Sequence, residues 1–309
     1  MVDKGTARAA ASNRAKCVVP LAGAIDTHVH SSPDVTPRVL DDLGVVAAAA
    51  RAGLRGIVLK SHHFATAPRA VLAQTQAAEL SVFGGIVLNR SSCGGFNPDA
   101  VRVNLAVGGR IVWMPTISAR NHLNYVAATN NPGHVGAIGA GLRETGLSPL
   151  MRDGRVDPVV GEILGVVAEN DAVLATGHLS SEEICAVVGE ARRRGVRRIL
   201  ITHPEAPQIR MPVGIQRELA SPGTYFERCY YSLLAGYPTD AMLAEARAVG
   251  IESTIFATDL GQAHNPMPAE GFLQFYEALS TAGLSLEEWQ RAVVSNPAAL
   301  FSFSASPEA

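Results

Sequence analysis

Eight short apolar runs, separated mostly by stretches with helical spacing, constrain this chain more than any other feature. The runs are AIDTHVH (24–30), GIVLKSHH (56–63), VFGGIVLN (82–89), RIVWMPTI (110–117), AVLATGH (172–178), RILITH (198–203), YFERCYYS (225–232) and STIFATD (253–259). They need show no polar alternation, because a parallel strand is buried on both faces. Between them Leu40, Leu43, Val46 and Ala50 recur at helical steps, as do Ile184, Val187, Val188 and Ala191, and Leu243, Ala246 and Val249. Asn97-Pro98, and Ser180-Ser181 before Glu182-Glu183, read as helix starts. RAGLRG, GGR and RRRGVRR put Gly and Arg where helices stop. Strand–helix units in series predict a parallel sheet covered by helices, and eight of them favour a (β/α)8 TIM barrel over an open sheet. There is no GxGxxG after the first run and no GxxxxGK[ST], which argues against dinucleotide and P-loop sites.

The chain has 309 residues, 47% hydrophobic and 17% charged, enough for a large core. We expect residues 1–20 to be a flexible N-terminal arm and 21–309 to be a single barrel domain. The segment 118–157, rich in Gly, Asn and Ala, is expected to be a long loop after strand four, overhanging the C-terminal face. A net charge of −2 gives no electrostatic case for nucleic acid or an anionic membrane surface. No apolar run approaches the roughly 20 residues of a membrane helix. Cys17, Cys93, Cys185 and Cys229 lie far apart without a CxxC pair, so a disulfide framework is not expected and a cytoplasmic location is. Ala-rich helix faces are compatible with a homo-oligomer.

Polar residues collect at the C-terminal ends of these runs. His28 and His30 are two apart on the first strand and face the same side. The fifth run ends in His178, the sixth in His203 and the eighth in Asp259. Strand C-termini of a barrel converge on one mouth, where catalytic groups belong. Imidazoles with one carboxylate suit Zn²⁺ better than Ca²⁺ or Mg²⁺.

DTHVH, ATGH, ITHPE and ATD on strands one, five, six and eight, with SNPAALF (295–301) as a closing helix, resemble the metal-dependent amidohydrolase superfamily of TIM barrels. The resemblance covers residues 22 to 303. It also extends to an uncharacterised subgroup with Lys60-Ser61-His62-His63 on strand two. It implies His28, His30, His178 and Asp259 as metal ligands. His203 would bind a second metal or the reacting group, and Asp259 would move the proton of the attacking water. Binuclear members usually carry a carbamylated Lys or a Glu on strand four, which RIVWMPTI lacks. Lys60 is then either a carbamylated ligand or a cation turned to an anionic substrate, and one or two divalent ions remain open.

His62, His63, Arg38, Arg90, Arg120 and His122 are further candidates for substrate binding, since an Arg can fork onto a carboxylate. Glu205 is expected to orient His203, and Glu227 to need a partner if it faces the barrel. His134 and His264 are read as surface residues. The expected function is a metal-dependent hydrolase that uses activated water on an amide, lactam, lactone or related bond of a small, anionic substrate. Asp259, His203 and Lys60 are its expected catalytic groups. The alternatives are a mononuclear decarboxylase of an unsaturated carboxylic acid and a catalytically silent metal-binding barrel.

Overall fold

The computed structural model describes residues 20–129 and 146–302. Its strands are β1 (Ile25–His30), β2 (Gly56–Lys60), β3 (Ser81–Phe83), β4 (Gly85–Val87), β5 (Ile111–Trp113), β6 (Val173–Ala175), β7 (Arg198–Thr202), β8 (Thr224–Cys229) and β9 (Thr254–Ala257). Each of the eight apolar runs holds barrel strand. β3 and β4 are two halves of one stave, split at Gly84, where a Cβ would collide with the backbone of Thr66.

All pairings are parallel, in the order β1-β2-β3 and β4-β5-β6-β7-β8-β9. The ends join where Asp259 N donates to His28 O at 2.9 Å and His30 N donates to Leu260 O at 2.8 Å. The result is a TIM barrel.

Helices clothe the ring. Ser181–Arg193 buries Ile184, Val187, Val188 and Ala191, and Ser180 and Glu183 form a capping box at its start. Asn97 caps Pro98–Ala106 by accepting from Ala100 N. In Asp42–Arg51 the buried face is Val45, Val46 and Ala49, whereas Leu43 is 52% exposed. The apolar rhythm found that helix but placed its inner face too early.

Inside the ring, Val58, Val87, Ile111, Trp113, Val173, Leu200 and Ile255 form an apolar layer. Leu300 and Phe301 join it from the final helix Asn296–Phe301, and Phe83 stacks on Phe301. Asn296 ties that helix down by donating to Ile251 O and Thr254 O. With this end closed by side chains, polar groups are left to the opposite mouth.

The segment after β5 is not wholly irregular. It opens with the helix Arg120–Thr129, whose buried residue is His122. Most of the expected N-terminal arm, the rest of this long connection at 130–145, and His134 lie outside the described residues. No helix among those described is long and apolar enough to cross a membrane.

Candidate active site

At the mouth, β1 contributes more than alternation predicts. Asp26 pairs with Ile57 but Val29 with Leu59, so three steps on β1 oppose two on β2. This bulge turns consecutive residues to one partner. Thr27 Oγ1 donates to Glu227 Oε1 at 2.6 Å, and His28 Nδ1 lies 3.0 Å from Glu227 Oε2. Glu227 therefore fixes the His28 ring and turns its Nε2 away from β8.

That Nε2 lies 3.0 Å from Asp259 Oδ1, and His30 Nε2 reaches the same oxygen at 3.1 Å. Lys60 Nζ is 2.9 Å from His28 Nε2. Asp259 sits at φ 52 and His203 at φ 28, both in the left-handed region. Such backbone is uncommon outside Gly, tolerated best by Asn, Asp and His, and it concentrates where function fixes a residue. Gly177, at φ 59, makes the sharp turn out of β6 that presents His178, and a Cβ there would strike the carbonyl of Met114.

The other imidazoles form a wall. His178 centres 5.0 Å from His203, 6.0 Å from His62 and 4.9 Å from His122, and its Nδ1 is 3.1 Å from that of His122. His62 Nδ1 contacts Thr116 Oγ1 at 2.7 Å, and His63 Nδ1 contacts Ser91 Oγ at 3.0 Å. A cavity of about 710 Å³ opens above them, lined by His30, Arg38, Lys60, His62, His63, His122, His178, His203 and Asp259 among others. That volume is typical of a small-molecule site.

Burial keeps most of these rings neutral. It lowers His30, His62 and His178 well below the ordinary histidine value, helped by nearby cationic groups, and takes His122 and His203 down to about 4. His28 goes the other way: burial opposes its charge, but the Asp259 and Glu227 carboxylates outweigh burial and raise it. Asp259 is held well below the carboxylate range, the His28 and His30 rings overcoming its own burial. Burial lowers Lys60 despite both carboxylates.

The donors fit a divalent cation. Ligands about 2.0–2.3 Å from one tetrahedral ion lie about 3.3–3.8 Å apart, and among the described residues the three donors that gather within 4.8 Å of one another are His28, Cys229 and Asp259, while His30 meets the same Asp259 oxygen at 3.1 Å without joining that set. The Asp259 carboxylate faces this point and the buried Glu227 carboxylate acts on it through His28, a demand for positive charge now met by His28 and Lys60. Nδ1 of His30 and Nδ1 of His203, both buried, have no hydrogen-bond partner among the described residues.

Arg38 lines the cavity and is held by Asp34 at 2.8 Å. Arg90 and Arg120 are exposed and are not among the cavity residues. His264 is exposed as well. Glu205 does not orient His203. It pairs with buried Arg228, which also donates to Gln216 Oε1 at 2.8 Å. Arg228 and Cys229 were not singled out by their neighbours in sequence, because they end a strand whose other residues read as ordinary core.

Several solved structures share this fold. An amidohydrolase from Pseudomonas aeruginosa is 11% identical with a TM-score of 0.57, covering 92% of this chain and 98% of its own. A Pseudomonas putida protein assigned as 2-pyrone-4,6-dicarboxylic acid hydrolase is 16% identical with a TM-score of 0.55, covering 92% and 99%. The 2,6-dihydroxybenzoate decarboxylase from Rhizobium is 11% identical with a TM-score of 0.51, covering 91% and 99%. At such identities the likeness shows the fold alone, a TIM barrel. No curated protein matches the chain. Residues 23–227, from the start of β1 to Glu227 and including His28, His30, Lys60, His62, His63, His178 and His203, match the model of a family of unknown function, and the chain thus belongs to that family, DUF6282.

Proposed function

We propose that the protein is a metal-dependent hydrolase acting on an amide, lactam, lactone or related bond of a small anionic substrate. The observation that carries this reading is the meeting of His28 Nε2 and His30 Nε2 on one oxygen of Asp259 at the mouth of the barrel. His28, His30 and Asp259 would hold the cation, with His178 facing them across the same cavity and His203 beside it. Zn²⁺ in that position supplies Lewis acidity, which brings the pKa of water down to about 7 and polarises a carbonyl.

The chain's own groups do the rest. Asp259 accepts a proton from the attacking water and returns it to the departing nitrogen or oxygen. His203, kept neutral by burial, donates an N–H hydrogen bond to the oxygen on which charge develops; one such donor is worth about 3–4 kcal/mol. Arg38 and Lys60 supply positive charge along the wall for a substrate carboxylate, and His62, His63 and His122 shape that wall.

A second reading, decarboxylation of an unsaturated acid, draws support from β5, where Ile111–Trp113 offers no acidic residue or lysine to bridge two metals. A decarboxylase on the same fold makes it concrete.

The test is metal content per chain on protein purified without chelator or nickel, followed by parallel screens of lactones and amides for hydrolysis and of unsaturated acids for release of carbon dioxide. We expect about one Zn²⁺ per chain and hydrolysis. Carbon dioxide without hydrolysis would establish the second reading. Zinc neither present nor taken up on addition would overturn both.

A further inference from the structure

Cys229 has no part in the chemistry above, yet it belongs to the same cluster. It ends β8 two residues after Glu227, so strand alternation turns both side chains toward the barrel axis. It is fully buried. Its sulfur, a ring nitrogen of His28 and a carboxylate oxygen of Asp259 all lie within 4.8 Å of one another. No other set of three His, Cys, Asp or Glu groups among the described residues does so. His30, His178 and His203 reach the cavity but join no such set.

We propose that Cys229 is a ligand of the cation beside His28 and Asp259, making a mixed sulfur, nitrogen and oxygen site. The inference rests on the metal-dependent reading above. It changes what the site selects. A thiolate is a soft donor that favours Zn²⁺ or Co²⁺ over Mg²⁺, Ca²⁺ or Mn²⁺, whereas imidazole and carboxylate alone discriminate less. On binding, the S–H bond breaks, its electron pair goes to the cation, and the proton leaves to solvent. No oxidant or reductant is needed.

The experiment is a Co²⁺ titration of the full chain freed of metal. Visible d–d absorption reports cobalt in the site whatever the donors are, and a near-ultraviolet sulfur-to-cobalt charge-transfer band reports a thiolate ligand. We expect both in the wild type. Cys229→Ser should keep the visible bands, lose the charge-transfer band and weaken Co²⁺ binding by at least about tenfold. Cys185→Ser, on the outer helix Ser181–Arg193, should change neither. Visible bands without a charge-transfer band in the wild type would remove Cys229 from the site and leave the cation reading standing. No cobalt bound at equilibrium dialysis would overturn both. The wild-type spectrum decides between these outcomes even if the serine variant does not fold.

Discussion

The amine of Lys60 lies 2.9 Å from Nε2 of His28, the nitrogen that Asp259 also reaches at 3.0 Å. An ammonium and a divalent cation compete for the same nitrogen and the same carboxylate, and burial already works against the lysine's charge. Once a cation is held, Lys60 belongs to the cavity it lines, facing the substrate. Lys60→Met is therefore expected to keep one cation per chain and to bind it more tightly. The same change should lower kcat/KM for an anionic substrate by about 30-fold or more, the loss typical of truncating one partner of a buried charge pair. Elemental analysis and steady-state kinetics read both effects. Cation content that fell with the substitution would instead make Lys60 a ligand, through a carbamate.

Asp259 offers a clean substitution because of its backbone. At φ 52 most side chains are strained, but Asn tolerates this region nearly as well as Asp. Asp259→Asn should leave the thermal melt near that of the wild type and reduce kcat by about 10²–10⁴-fold, the usual contribution of a positioned base. A catalytically silent barrel predicts no turnover in either protein. Turnover at the wild-type rate would remove Asp259 from its role.

Glu227 touches the proposed cation site only through His28. Its oxygens are taken by Thr27 Oγ1 and His28 Nδ1, and it is fully buried. Glu227→Gln retains the volume and one acceptor but loses the charge that fixes the ring and raises its basicity. We expect Zn²⁺ affinity to drop by about 10–100-fold while the fold persists, as for other carboxylate–histidine pairs. Competition against a chromophoric chelator measures it, and an unchanged affinity would mean that the ring needs no such support.

The barrel was legible because its strands are buried on both faces, so each of the eight runs stood out as a block of apolar residues. His30, His178, His203 and Asp259 were legible because each ends such a block, with His28 two residues before the end of the first, where the topology gathers residues at one mouth. What the sequence hid depends on contacts between distant strands. Glu227 meets His28 across 199 positions, and only the bulge at Asp26–Val29 brings Thr27 to it as well. Cys229 reads as a core residue until β8 is set beside β9. Glu205 follows His203 closely but points to Arg228, because β7 and β8 are neighbours in the sheet. Arg90 and Arg120 follow barrel strands, yet each enters a helix that leaves it in solvent.

Arg228 is a fully buried guanidinium held by Glu205 and Gln216, with Glu245 at 3.5 Å. Removing one partner of such a pair strands the other charge in a dry site. Arg228→Met should cost about 3–5 kcal/mol in urea unfolding, and Glu205→Gln added to it should recover part of that loss. A double variant no more stable than the single one would show that packing around Arg228, rather than charge, sets the cost.

Glu288 supplies a pH dependence remote from the site. Ser285 caps the helix Leu286–Gln290 by accepting from Glu288 N, its own N–H donates to Glu288 Oε2 at 2.9 Å, and Arg247 donates to both Glu288 oxygens at 2.8 and 2.9 Å. These hydrogen bonds, Arg247's foremost, bring the carboxyl from 4.5 to about 2. Above pH 4.5 it is ionised in both folded and unfolded chains, and its full contribution is present. As pH falls from 4.5 toward 2 the unfolded chain takes up the proton first, and the contribution disappears. Both side chains are partly in solvent, so water and salt screen the pair to about 0.5 kcal/mol. Glu288→Gln keeps the capping acceptor and removes only the charge. At neutral pH and low salt the wild type should be the more stable of the two in urea, and the gap should narrow below pH 4 and in high salt. A gap that stayed constant from neutral to acid pH would assign the difference to something other than this carboxylate.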